Sequence, residues 1–168
     1  MRYRRSLLYR CFVIINNLLF ENEAMDSEWI DSHKELLNYG NTLKGNPLTI
    51  QFSNVIEGIL EITKGDIKTI AFKNIPNADF NKNKNQLALD IPGFIMSSTY
   101  LGWSETVPGK HPEAALFVYF HKTEKKDFIL CLRKMKSNLH YKPYAIISME
   151  KLLIDLEGRI IHKEKPDQ

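Results

Sequence analysis

The sequence predicts an α+β fold: a predominantly antiparallel sheet of about six to eight strands with two or three helices, the N-terminal helices packed on one side. Three observations carry this. From about residue 55 to residue 148, short apolar runs follow one another between turn residues. That is a hairpin rhythm rather than the strand–helix alternation of a parallel sheet. Helix-period apolar residues cluster near the two ends of the chain. The composition, 43% hydrophobic and 26% charged over 168 residues, is that of a globular chain long enough to bury a core. Residues 25–168 read as one α+β domain, preceded by a separable N-terminal helix at 1–24.

In that first segment Leu7, Leu8, Cys11, Phe12, Ile15, Leu18 and Leu19 recur at helical spacing, with Arg4 and Arg5 off the stripe. It reads as a cationic amphipathic helix, with three alternatives open. It packs on the core, it makes weak contact with a membrane surface through residues 1–20 or serves targeting, or it is an extension upstream of a start at Met25. The apolar stretch falls short of the roughly 20 residues that a membrane span needs.

Residues 21–35 carry six acids against Lys34. Asp26 or Ser27 is expected to cap a helix bearing Trp29, His33, Leu36 and Leu37, and Gly40 to end it. Next, Ile56, Gly58, Leu60 and Ile62 alternate with Glu57, Glu61 and Thr63. With Lys64-Gly65-Asp66 as a turn and Ile67–Phe72 as a second β-branched run, 55–73 is expected to be a hairpin. The Asn/Lys-rich stretch 74–86 reads as an exposed loop. Leu87–Ile91 and Phe94–Leu101 read as short strands around Pro92-Gly93, and 102–113 as a second long loop. Ala114–Phe120 and Phe128–Leu132 form a hairpin about the charged turn Lys122–Asp127, Tyr144–Ser148 is a strand, and 149–156 a short helix before a final strand at Arg159–Lys163.

The formal net charge of +3 arises in residues 1–20, where Arg2, Arg4, Arg5 and Arg10 stand without an acid, leaving the remainder at −1. The body therefore lacks the basic field of a dedicated nucleic-acid binder. Cys11 and Cys131 are too few for a disulfide framework and lie among apolar neighbours, so a reducing, cytoplasmic setting is expected. No P-loop, dinucleotide-binding glycine motif or nucleophile elbow occurs. No metal site and no cofactor is expected. Asp79, Asn81, Asn83, Asn85 and Asp90 imitate calcium-loop spacing, but Lys84 stands where the turn needs glycine. His121, Asp127 and Cys131 can be drawn as a nucleophile set across one hairpin, as polar hairpin ends often allow.

Three functional readings remain. The first is a non-catalytic protein-interaction domain, of the adaptor, chaperone or immunity-like kind. It would bind through Trp103, Lys110 and His111 of the 102–113 loop and through a sheet edge, since Trp is favoured at interface hot spots. The second is a metal-dependent nuclease in which Glu57 and Asp66 hold a divalent ion and Lys68 sits near the attacking water. The third binds nucleic acid or another acidic surface through residues 121–142. That segment is net +5 and includes Lys126, Arg133, Lys134 and Lys136 with Tyr141 and Tyr144 nearby. Alternatively the +5 segment and the −5 run at 21–35 face one another.

Overall fold

The computed structural model describes residues 23–53, 56–73 and 76–166. The amphipathic helix expected over 1–20, with Cys11, lies outside the described residues. Those residues form an α+β fold with five helices and a six-stranded mixed sheet. No helix among them is long and apolar enough to cross a membrane.

Helix α1 (Glu23–Thr42) begins ahead of the expected cap and runs past Gly40. A Cβ at Gly40 would stand 3.0 Å from Ile67 Cγ2, so this glycine permits helix contact rather than ending the helix. Strands β1 (Leu48–Phe52) and β2 (Gly58–Ile62) pair antiparallel from Leu48↔Ile62 to Phe52↔Gly58. The hairpin therefore lies one element earlier than the sequence suggests. Its expected second arm is helix α2 (Lys64–Phe72). Thr63 opens that helix with a reciprocal cap: its hydroxyl accepts from the Asp66 N–H at 3.3 Å, while Asp66 Oδ2 accepts from the Thr63 N–H at 2.8 Å. Lys64-Gly65-Asp66 is thus a first helical turn, and Ile67, Ile70 and Ala71 bury one helical face.

The predicted loop at 74–86 is also mainly helical. Asn77 caps α3 (Ala78–Ala88) by accepting from the Phe80 N–H, and Asp90 caps α4 (Ile91–Met96) by accepting from the Gly93 N–H. The calcium-like spacing is therefore a pattern along a helix and its successor's cap. Leu87–Ile91 is no strand. The run 94–101 divides between α4 and strand β3 (Thr99–Glu105), which takes in the first part of the expected loop at 102–113. Beyond it come β4 (Ala114–Thr123), β5 (Asp127–Met135), β6 (Tyr141–Ile147) and helix α5 (Met149–Asp155), all at or near their expected places. Arg159–Lys163 contributes a single bridge to the sheet edge, His162 against Trp103.

The strand order is β1-β2-β6-β5-β4-β3. Every pairing is antiparallel except β2–β6, which meet in parallel at Leu60↔Tyr141. The central strands are apolar on both faces. Val118, Phe120, Phe128, Leu130 and Leu132 join Leu36, Ile67, Ile70, Phe80 and Phe94 in a core beneath α1–α4. Phe117, Tyr119, Ile129 and Cys131 face the other way, covered in part by Leu152 and Leu156 at α5.

Lys84 of α3 is wholly buried. Its Nζ donates to the carbonyls of Ile70 at 2.9 Å and Lys73 at 3.0 Å, satisfying acceptors at the C-terminal end of α2 where a cation suits the helix dipole. Burial draws this ammonium down to about 8. Because the folded value lies below the unfolded one, the unfolded chain binds more protons between them. Stability therefore rises with pH across that window, by at most about 1.4 kcal/mol per pH unit for this group. Lys73, also held near 8 by burial, acts in the same sense. Tyr100 and Tyr119, pushed by burial to about 12, reverse the trend above about pH 10, where unfolded tyrosines ionise first. Urea unfolding between pH 7 and 11 should thus show a stability maximum near pH 10, and Lys84→Met should flatten the rise. A steady fall from pH 8 would contradict the burial of Lys84.

Candidate functional site

The sheet face opposite α1–α4 carries a cavity of about 410 Å³. Strand alternation makes its floor: Phe117 and Tyr119 from β4, Cys131 from β5, and Tyr144, Ala145 and Ile147 from β6. One wall is α5 and the turn after it, with Lys151, Leu152, Asp155 and Arg159. The other is the 106–113 segment, with Val107, Lys110 and His111. Lys73, the residue that ends α2, closes one side.

The rings of His111, Phe117 and Tyr144 meet pairwise at 5.1–5.2 Å between centroids, in edge-on or tilted geometries that suit their quadrupoles. The Lys73 ammonium lies over the Tyr144 ring, 3.1 Å from its centroid, a cation–π contact. Burial, with Arg133 and Lys151 nearby, draws Lys73 down to about 8, against the opposing pull of Cys131 and Asp155. His111 is lowered too, first by burial and then by Lys73, Arg133 and Lys110, with Glu113 opposing.

Most charges at the cleft are engaged. Lys110 pairs with Glu157, joining the two walls. Lys151 pairs with Asp155 at 2.6 Å. Arg159 donates from Nε to the Leu156 carbonyl and from Nη2 to the Asp155 carbonyl, both at 2.9 Å, and from Nη1 to the Glu105 carbonyl. It thereby ties the end of α5 to the end of β3. Lys73 makes no ion pair within 4 Å among the described residues. With His111 neutral, four lining cations against Asp155 and Glu157 leave the cleft at +2.

Of the residues singled out in the sequence, Lys110, His111, Cys131 and Tyr144 line this cleft and Arg133 borders it, 5.9 Å from the Tyr144 ring centroid. The others disperse. Trp103 lies in β3 rather than a loop, half-buried, its ring stacked on His162 at 4.3 Å and its Nε1 without a partner among the described residues. Gly102 beside it has φ +136, and a Cβ there would stand 2.2 Å from the His162 carbonyl oxygen, so glycine is what admits the C-terminal segment. Asp66 is buried; besides its capping role it lies 3.7 Å from Arg133 and 3.5 Å from Lys142. Glu57 is exposed ahead of β2, and Lys68 is exposed in a groove with Leu37 and Phe72. Among the described residues no three acidic, histidine or cysteine side chains gather as a metal site.

The basic segment is split by strand alternation. Arg133 reaches Glu113 at 3.1 Å on the cleft side, whereas Lys134 is buried, 5.7 Å from the Tyr141 ring. Lys126 pairs with Asp79 at 3.2 Å, and Lys136 is exposed after β5. These partners, with Glu61 and Asp66 for Lys142, take the place of the acidic run at 21–35. His121 does bond Asp127, at 2.7 Å. Cys131, however, is buried and pushed by burial up to about 12, so its thiol holds its proton and lacks nucleophile character.

Lys73, Asp155 and Arg159 escaped notice as site residues because they come from distant parts of the chain and form no spacing motif, whereas Tyr144 stands out as an aromatic beside the basic segment. No family model matches the chain, and neither a curated protein nor a solved structure matches it, which leaves the cleft's own chemistry as the guide to function.

Projecting from β3 and stacked on His162 of the C-terminal segment, Trp103 is placed to stabilise the fold. Trp103→Ala is expected to cost about 2 kcal/mol, below the loss for a fully buried aromatic because the side chain is only partly buried. A denaturation midpoint that does not move would instead leave this ring free for recognition.

Proposed function

We propose that this chain is a binding domain that engages a partner protein in the cleft, with the 106–113 segment as its recognition wall. The observation that carries this is the cavity itself. A concave, largely apolar floor with a few convergent polar groups is the usual form of a ligand site, and here Lys110 and His111 stand in its wall. Tyr and Arg side chains, which Tyr144 and Arg159 bring to it, suit interface hot spots. The outer edge of β3 is a weaker candidate, since His162 pairs with it. The edge at β1 stands apart from the cleft. A reducing, cytoplasmic location belongs to the same proposal and fits a buried, protonated Cys131.

The nuclease and phosphate-backbone readings have less support. Asp66 is committed to the α2 cap and two cations, and the basic side chains of β5 divide between opposite faces.

A photo-crosslinking amino acid placed at Val107 in the full chain, in producing cells, should yield a discrete partner adduct. The same probe at exposed Leu153, which is outside the cleft lining, should not. Lys110→Glu, which sets two acids against each other at the mouth, should reduce the Val107 adduct about tenfold, equivalent to losing roughly 1.4 kcal/mol of binding. Identical adducts from both positions, or none from Val107, would remove the proposal.

A further inference from the structure

We propose that the cleft takes a carboxylate carried on an aromatic or bulky apolar group, the acid set against Lys73 and the apolar body lying along the ring cluster of His111, Phe117 and Tyr144. This rests on the cleft being the binding site and names the chemistry of what enters it.

Charge complementarity carries the choice of an anion. The cleft holds +2, and its other cations are already matched: Lys110 by Glu157, Lys151 by Asp155 and Arg159 by three carbonyls. Neighbouring Arg133 has Glu113. Among the described residues Lys73 has the face of an aromatic ring and no ion pair. A desolvated ammonium against one ring is worth less than the same ammonium against a carboxylate. An anion arriving there gains an ion pair without having to break one.

The choice of a monoanion follows from the fold. Lys73 stands at the carbonyl end of α2, the negative end of the helix dipole. The Ile70 and Lys73 carbonyls accept from Lys84, and the other cations of the lining have partners, so the single Lys73 ammonium meets the ligand and matches one negative charge. The choice of an apolar body follows from the floor, where Phe117, Tyr119, Tyr144, Ala145 and Ile147 leave a volume in the range of small-ligand sites.

Such a ligand needs Lys73 charged. The groups around this ammonium are Tyr144, Cys131, Arg133, Asp155, Lys151 and His111. His111 titrates below its ordinary range, Tyr144 above its own and Cys131 near 12. Affinity should therefore hold steady between about pH 7 and 7.5. Above about pH 8, where free Lys73 loses its proton, it should fall, by up to about tenfold per pH unit, until the acid binds no better than its amide.

The test is titration calorimetry of the full chain with N-acetylphenylalanine, which joins one carboxylate to one phenyl ring, against its neutral amide. The acid should bind at least about tenfold more tightly than the amide, and Lys73→Met should remove that difference. Lys73→Arg should keep binding while abolishing the decline above pH 8, a change that a merely structural lysine would not produce. Equal binding of acid and amide, undiminished binding by Lys73→Met, a pH profile unmoved by Lys73→Arg, or no binding of the acid at 10 mM or so would each overturn the assignment. Acid binding without a Val107 adduct would uphold the carboxylate site and remove the partner protein. An adduct without acid binding would do the reverse.

Discussion

Side chains on β4, β5 and β6 alternate, and both sets on the central strands are apolar, so this ribbon must be covered twice. Val118, Phe120, Leu130 and Leu132 require one cover, while Phe117, Tyr119, Ile129 and Ile147 require another. At about 25 cal/mol per Å² of apolar surface, leaving either set in water would forfeit much of the net stability of a chain this size. Segment 63–96 answers the first need as three helices rather than a continuation of the sheet. Among the described residues the second need is met in part, by α5 and the segment that returns to β3. The uncovered remainder, above Phe117, Tyr119 and Tyr144, is the cleft.

The helical cover depends on charged groups used inside the protein. Asp66 sits in the first turn of α2 and Lys84 at its last carbonyls, both buried. An acid at the positive end and a cation at the negative end each match the macrodipole. Desolvating them costs energy that hydrogen bonds must offset, and here those bonds go to backbone groups that a helix end would otherwise leave unsatisfied. Lys84 also holds the Lys73 carbonyl, so a buried side chain of α3 fixes the backbone from which the Lys73 ammonium reaches the Tyr144 ring. Core and cleft are linked at that residue.

Runs of charge along the chain proved a poor guide to charge in space. A net +5 between residues 121 and 142 suggests a basic surface, yet a strand sends neighbouring residues to opposite sides. Arg133 therefore meets Glu113 on one face while Lys134 is buried on the other. The cleft's positive balance arises from residues spread between 73 and 159, none of which stands in a charge run that points to it.

Local patterns in the chain were enough for the β4–β5 hairpin with its charged turn, the alternation of β2, a strand at β6, the long first helix, and α5 after Ser148. The stretch 102–113 also stands out in the sequence, though its first four residues belong to β3 and only its later part, with Lys110 and His111, lies at the cleft. Packing between distant segments settled 63–96. Ile67 and Ile70 carry β-branched side chains that favour a strand, and Asn81, Lys84 and Asn85 are polar residues that suggest a solvated loop. Yet all five are buried in helices. Two facts override those preferences: a sheet face in need of cover, and acceptors at the end of α2 that a lysine eleven and fourteen residues further along the chain can reach. Both are relations between distant segments, and the meeting of Lys73 with Tyr144 is of the same kind. Spacing along a chain records which residues share a face of one element, whereas only folding determines which elements face each other.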